Sequence, residues 1–290
     1  MIVRPTTDEC VRLGLRGELS RAYGRRGIPG RGPGGRRAGG GGGTDPLLSL
    51  FGVGETDGLY IDWTSVDLVG ADVDVAYDLS PHGRTFTSVT RPSYSASSAN
   101  FGGRPTATFT AATVEYMAAA TSAVLDAAGD ISWDCVFLVK GTATGGTNGR
   151  VLDKRVTDGL TAGFSSTTGI NMIRDSTLGA GTASITFVTA GTTRSSVTLD
   201  RGLYDPTVAG GTYYARINGT AGTGVTTGQG GTCTNANTAA IGARNGGVTP
   251  LDAEVALILA RVGGGIFSAA ERALIVSTIN SRYGTSFTDV

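Results

Sequence analysis

The sequence is short of the residues on which most enzyme chemistry is built. It holds one histidine, His82, and three cysteines, Cys10, Cys135 and Cys233, in 290 residues. A single imidazole excludes a His-rich metal site and leaves one candidate for a Ser/His/Asp or Cys/His arrangement. The cysteines are odd in number and far apart, without the C-x2-C spacing of a zinc site or the pairing of a disulfide scaffold. Charged residues make up only 17%, and Lys+Arg and Asp+Glu are both 24, for a net charge of zero. No global field therefore draws the chain to nucleic acid or to a membrane surface. No apolar run approaches the ~18–20 residues that cross a bilayer, so no membrane insertion is expected. The opening MIVRPTTDEC lacks the basic-then-apolar pattern of a secretory signal.

Glycine, by contrast, is abundant, with 47 residues against a usual ~7%. It follows no G-X-Y period, which excludes collagen. The 40% of hydrophobic residues excludes wholesale disorder. The length suits one large β domain, or two small ones, with a sizeable core.

Charge is unevenly placed. Residues 1–45 carry nine Arg and four acids, net +5, and the remainder is net −5. Within this segment Thr6-x-x-Glu9 forms a capping-box pattern, followed by Val11, Leu15, Leu19 and Tyr23 at mostly four-residue spacing. The spacing predicts a short amphipathic helix over about 7–24, weakened by Gly14 and Gly17. RRGIPGRGPGGRRAGGGGG follows, too rich in Gly and Pro for helix or strand, and reads as an arm or linker. From Pro46 the pattern becomes short apolar runs between Gly/Thr/Ser/Asn clusters: Gly58–Trp63, Trp133–Lys140, Ser184–Val188, Ser195–Leu199, Thr212–Ile217, Thr238–Gly242 and Val255–Val262. Trp133, Cys135, Phe137 and Val139 share one strand face, so Cys135 reads as a small buried hydrophobe. VALILARV is apolar on both faces, as befits a central strand covered twice. Asn218-Gly219 after alternating Tyr213, Ala215 and Ile217 marks a hairpin. Many short strands with frequent turns predict a sandwich or barrel. Ser268-x-x-Glu271, the stripe Ile275, Val276, Ile279 and Tyr283, and Gly284 predict a helix over about 269–283.

Four stretches resemble the concanavalin A-like (laminin-G-like) jelly-roll proteins of tailed phages and phage-like particles. They are PLLSLFGVGETDGLYIDW, AYDLSPHGRTFT with Asp78, Ser80 and Gly83 in register, GGRPTATFTAATVEYM, and AEVALILARVGGGIFSAAERALIVSTINSRYG. In the third, Gly103, Arg104, Pro105, Phe109 and Tyr116 match, while Gly102 replaces the usual Asn and Ala111 or Ala112 the usual Gly. The resemblance spans about residues 46–284 and implies an all-β, concanavalin A-like jelly-roll β-sandwich with one C-terminal helix. The short helix and Gly/Arg-rich arm of 1–45 lie outside it, and 46–290 forms the sandwich domain. The fold itself does not assign a function.

Candidate chemistry is sparse. The E-x-D-x-x-E strand motif of retaining glycanases is absent, although Asp252 and Glu254 are spaced to share a strand face. They read as a solvated strand start. Asp72 and Asp74 have the same spacing, and a calcium site there would need further oxygen ligands that no nearby residue marks. His82 lies in a Ser-Pro-His-Gly turn without an evident nucleophile or acid partner. Asn218-Gly219-Thr220 fits a glycosylation pattern, which the Asn-Gly turn explains equally. No enzyme activity, metal or other cofactor is expected. Among aromatic residues that stack on sugars, Tyr60, Trp63, Tyr94, Tyr116, Trp133, Tyr204, Tyr213 and Tyr214 are available. Tyr213 and Tyr214 point to opposite faces, and Tyr204, in a Leu-Tyr-Asp-Pro stretch expected to be a loop, ranks first with Tyr214 as a glycan contact.

The arm admits three readings: single-stranded nucleic-acid binding, poorly supported because only Tyr23 interleaves it; an inert linker; or docking onto a partner. Docking is favoured because the amphipathic helix has no core of its own. Its contacts would be Leu15, Leu19, Tyr23, Arg25, Arg26, Arg31, Arg36 and Arg37. The expectation is a virion structural protein, a spike, fibre or decoration module assembled in the bacterial host cytoplasm. It would be anchored to other head or tail proteins by the arm, homo-oligomeric, and in contact with host surface glycans. The alternative is a free carbohydrate-binding, lectin-like module.

Overall fold

The computed structural model describes residues 45–52, 54–126, 131–141, 149–154, 159–164, 169–175, 183–188, 195–208, 211–222, 225–226, 237–244 and 246–290. The expected helix over 7–24 and the arm lie outside the described residues. The strands are β1 (Glu55–Ile61), β2 (Val66–Val69), β3 (Asp72–Tyr77), β4 (Thr85–Thr90), β5 (Ser93–Ser98), β6 (Arg104–Phe109), β7 (Tyr116–Ala119), β8 (Trp133–Gly141) and β9 (Arg150–Asp153). They continue as β10 (Gly159–Phe164), β11 (Gly169–Asp175), β12 (Ala183–Val188), β13 (Val197–Asp205), β14 (Thr212–Ile217), β15 (Thr220–Ala221), β16 (Val225–Thr226), β17 (Ala240–Ile241) and β18 (Ala253–Gly263). Among the described residues one α-helix, α1 (Ala269–Tyr283), follows the last strand.

All pairings are antiparallel, as the jelly-roll reading requires. The first sheet runs β14–β13–β8–β18. The far side of β18 is shared, β1 taking its C-terminal half and β6 its N-terminal residues. The second runs β2–β3–β4–β7–β17–β9–β10–β11–β12. β5 joins them, pairing with β6 and touching β3 at Ser93 and Asp72. Between the sheets lies one apolar core that includes Leu59, Phe86, Phe109, Met117, Cys135, Phe137, Leu152, Ile258 and Val262. Burial beside the Asp134 carboxylate holds the Cys135 thiol well above its ordinary range, so it behaves as the expected buried hydrophobe.

A second apolar layer lies outside the first sheet. Val136 and Leu138 of β8, and Leu257 and Leu259 of β18, meet Ile275, Val276, Ile279 and Tyr283 of α1. β18 is thus covered twice, and every one of its residues is buried. α1 starts and stops where its sequence signals it: Ser268 and Glu271 form a complete capping box, and Gly284 adopts φ +65°. Gly102 shapes the turn before β6. It has φ +59°, and a Cβ there would fall 2.7 Å from the Tyr283 carbonyl oxygen. Only glycine lets this turn pass under the helix end.

Charged groups fasten the helix to the sheet. Asp134 of β8 is fully buried and receives two bonds from Arg201 of β13, at 2.9 Å from Nε and 2.5 Å from a terminal nitrogen. The Phe267 backbone N–H, just before α1, donates to the same carboxylate at 2.7 Å. Arg261 of β18 stands opposite Asp134 in register, lies 4.3 Å from the Phe267 ring centroid, and donates to Glu271 at 2.5 Å. At the other end of α1, Arg282 bonds Asp45 and donates to the Tyr60 hydroxyl at 2.6 Å, while that hydroxyl donates to Asp45 at 2.7 Å.

Truncating one member of a buried pair leaves its partner's charge uncompensated, at a cost of about 3–5 kcal/mol. Asp134→Ala is expected to lower the urea-unfolding free energy by about that amount. The double change Asp134→Leu with Arg201→Met is expected to recover most of it, read from the urea midpoint.

Burial by itself raises the Glu271 carboxyl, but the bonds from Arg261 and Ser268 outweigh it and hold it below the usual range. Asp45 and Asp289 are shifted the same way, burial being outweighed at Asp45 by Arg282 and Tyr60, and at Asp289 by the Val290 N–H, Arg216 and Arg272. A depressed folded-state pKa contributes stability above the unfolded value, about 4.3 for Glu, and loses it as pH falls through the folded value. The thermal midpoint is expected to stay level down to about pH 5 and then to fall, with a smaller acid loss in Glu271→Gln.

Candidate functional site

While the first sheet's outer face is roofed by α1, the described outer face of β3, β4 and β7 stands open. Val73, Ala76, Phe86, Met117 and Ala119 point into the core. Their neighbours along the strands therefore face outward. Register sets Val75 beside Thr87, Thr87 beside Ala118, Tyr77 beside Thr85 and Tyr116 beside Thr90. Thr87 is exposed, and Val89 keeps 59% of its surface in solvent. Thr85 and Thr90 are five residues apart on β4, about 17 Å of strand, so a tyrosine stands near each end of the face.

Two of the carboxylates along this face are engaged. Tyr77 donates its hydroxyl to Asp67 at 2.5 Å, and Arg91 holds Asp74 at 2.7 Å. Across β4 and β7 the face is a floor of small and hydroxyl-bearing side chains bounded by aromatic rings. Such a surface suits a polar, uncharged ligand held by hydrogen bonds and ring contact.

Several expected site residues fall elsewhere. Tyr204 is not in a loop: it lies within β13, opposite Trp133 on one side and Tyr213 on the other. It is fully buried, its ring 4.8 Å from that of Tyr213, and this rules it out as a glycan contact. β13 runs through Leu-Tyr-Asp because both of its edges are paired there, which overrides the turn signal of the Asp-Pro that follows. Tyr213 is buried and Tyr214 keeps part of its surface exposed, so one of the pair does face out, on the first sheet rather than the open face. The arm contacts Leu15, Leu19, Tyr23, Arg25, Arg26, Arg31, Arg36 and Arg37 lie outside the described residues.

Of the acids weighed for catalysis or metal binding, Glu254 and Asp74 are held structurally. Glu254 accepts from Thr106 Oγ1 at 2.8 Å and from Asn100 Nδ2 at 2.7 Å, and is nearly buried rather than solvated. Asp74 is taken by Arg91, and no group of three or more His, Cys, Asp or Glu residues gathers as metal ligands among the described residues. His82 Nε2 lies 2.8 Å from Glu55, without a nucleophile in the pair. Asp78 organises its loop, accepting from the Tyr60 and Ser80 N–H groups at 2.9 Å each. Asn218 and Gly219 adopt φ +51° and +79°, the expected hairpin turn, and Asn218 Oδ1 accepts from the Leu199 N–H at 2.9 Å. Tyr77 and Thr87 were not singled out from the sequence, although the alternation in TFTSVT carries a signal for Thr87.

No protein-family model matches the chain, and no relative is found among curated proteins. Solved structures do match its fold. The binding domain of Paraclostridial Mosquitocidal Protein 1 aligns with a TM-score of 0.52 at 8% identity, over 81% of this chain and 53% of that one. The botulinum neurotoxin serotype D binding domain aligns with a TM-score of 0.50 at 8% identity, over 79% of this chain and 52% of that one. The ligand binding domain of the same serotype in complex with N-acetylneuraminic acid gives 0.51 at 7% identity, over 79% and 52%. The chain thus spans about half the length of these structures. At such identities the likeness is one of fold: this chain shares the architecture of β-sandwich binding domains.

Proposed function

We propose that the chain is a carbohydrate-binding, lectin-like module that takes its ligand on the open face of β3, β4 and β7. The observation that carries the reading is that face, whose hydroxyls and small side chains are set on paired strands between two tyrosines. Neighbours of the same fold support it, since they are binding domains and one was solved with a sugar acid bound. Isothermal titration of the full chain against a panel of neutral and sialylated oligosaccharides tests it. Thr87→Lys sets a long charged chain in the middle of the face. It is expected to change stability by no more than ~0.5 kcal/mol, as exposed substitutions do, while weakening binding by at least about tenfold. Flat titrations across the panel overturn the reading.

A second reading rests on the sequence resemblance and on the basic arm. It places this module on a tailed phage or phage-like particle, in several copies, fastened to head or tail proteins by residues 1–45. The net +5 of that segment and its Leu15, Leu19 and Tyr23 stripe supply the docking chemistry. Particles assembled with a 46–290 fragment are expected to lack it, as read by mass spectrometry of purified particles. Incorporation at the normal level would defeat the docking role.

A further inference from the structure

Two loops meet at the Tyr116 end of the open face, and both are strained. In the loop from β6 to β7, Val114 adopts the left-handed conformation, φ 54° and ψ 50°. In the loop from β17 to β18, Gly246, Gly247 and Thr249 have φ of +86°, +77° and +53°. Val114 and Thr249 are β-branched, the class for which this conformation is a true outlier. A Cβ on Gly247 would fall 2.7 Å from Val114 Cγ1 and 3.7 Å from Tyr116 Cε1, so glycine is what lets the loops close on each other.

The strained side chain does not serve the core. Val114 is 36% exposed, Val248, the residue after Gly247, is 52% exposed, and the Tyr116 ring is part-exposed. The Tyr116 hydroxyl has no hydrogen-bond partner among the described residues. Glu115, between them in sequence, spends its carboxylate locally, accepting from the Thr110 N–H and Thr113 Oγ1 at 2.8 Å each. The result is an apolar shelf with a free phenol at its edge. Strain kept at a surface, where it adds nothing to the core, points to a use in binding.

We infer that Val114, Tyr116, Gly247 and Val248 form a stacking subsite for a neutral pyranose. The C–H face of the sugar lies on the valines and the tyrosine ring, over Gly247, and a ring hydroxyl bonds the Tyr116 hydroxyl. The inference rests on the carbohydrate-binding reading and extends the open face by one position, since Tyr116 stands opposite Thr90 of β4.

The test uses the full chain with 13C-labelled valine methyls, titrated with methyl glucopyranoside, methyl galactopyranoside or N-acetylneuraminic acid at millimolar concentrations. The Val114 and Val248 methyl signals are expected to move together and saturate with at least one neutral glycoside, and to stay fixed in Tyr116→Ala. Val114→Gly, which relieves the strain, is expected to hold or raise the thermal midpoint while weakening binding about tenfold. Tyr116→Phe, which keeps the ring, gives the same readout for the hydroxyl alone should the alanine variant fail to fold. Shifts confined to Val75 or Val89 overturn the subsite and leave the module reading standing. A response to N-acetylneuraminic acid alone overturns the neutral class, and fixed signals with all three sugars overturn the subsite, while the module reading stands or falls with the oligosaccharide titration.

Discussion

The buried Asp134 carboxylate is the constraint on which the architecture turns. It lies on the outer face of the first sheet, where Val136, Leu138 and Leu259 would by themselves accept any apolar cover. An unpaired carboxylate in that position is prohibitive. Only one arrangement satisfies it: the Arg201 fork from the next strand and the Phe267 N–H from the segment leading into α1. Hydrophobic burial supplies the attraction between helix and sheet without direction, and the ion pair with its backbone bond supplies the placement. Arg261 and Glu271 extend the same logic to the first turn of the helix, and Arg282 with Asp45 and Tyr60 to its last.

An asymmetry between the two outer faces follows from that fastening. The sandwich has two outer faces, and the helix takes one of them. The described part of the other, on β3, β4 and β7, carries threonines, small residues and tyrosines, with no second roof among the described residues. Its strands are rigid because each is paired, whereas the loops at its Tyr116 end hold left-handed valine and threonine. A surface of this kind combines fixed hydroxyl positions with a conformationally costly apolar edge. Recognition of a polar ligand with apolar patches needs both properties.

Much of this was legible in the chain. VALILARV showed by its lack of alternation that β18 is covered on both faces, and WDCVFLVK separated the two cores residue by residue. The capping box and Gly284 placed α1 to the residue. The candidate face was harder to read. A bulge in β3 sets Val73 and Ala76, three residues apart, on the same inner side, so DVDVAY does not keep the two-residue period that would have marked Tyr77 as outward. Tyr204 misled for the opposite reason: local turn chemistry in Leu-Tyr-Asp-Pro was overridden by two paired neighbours, which no local pattern reports.

The sequence alone determined the class of the fold, the strands that lie at its centre, the helix that ends it and the scarcity of catalytic groups. These properties depend on periodicity, capping and composition, which are local. The tertiary structure decided which sheet face the helix covers, which tyrosines remain at the surface, and that Val114 meets Gly247 across more than a hundred residues of chain. Those outcomes depend on register and on the pairing of buried charges between distant strands, and neither is written in any one segment.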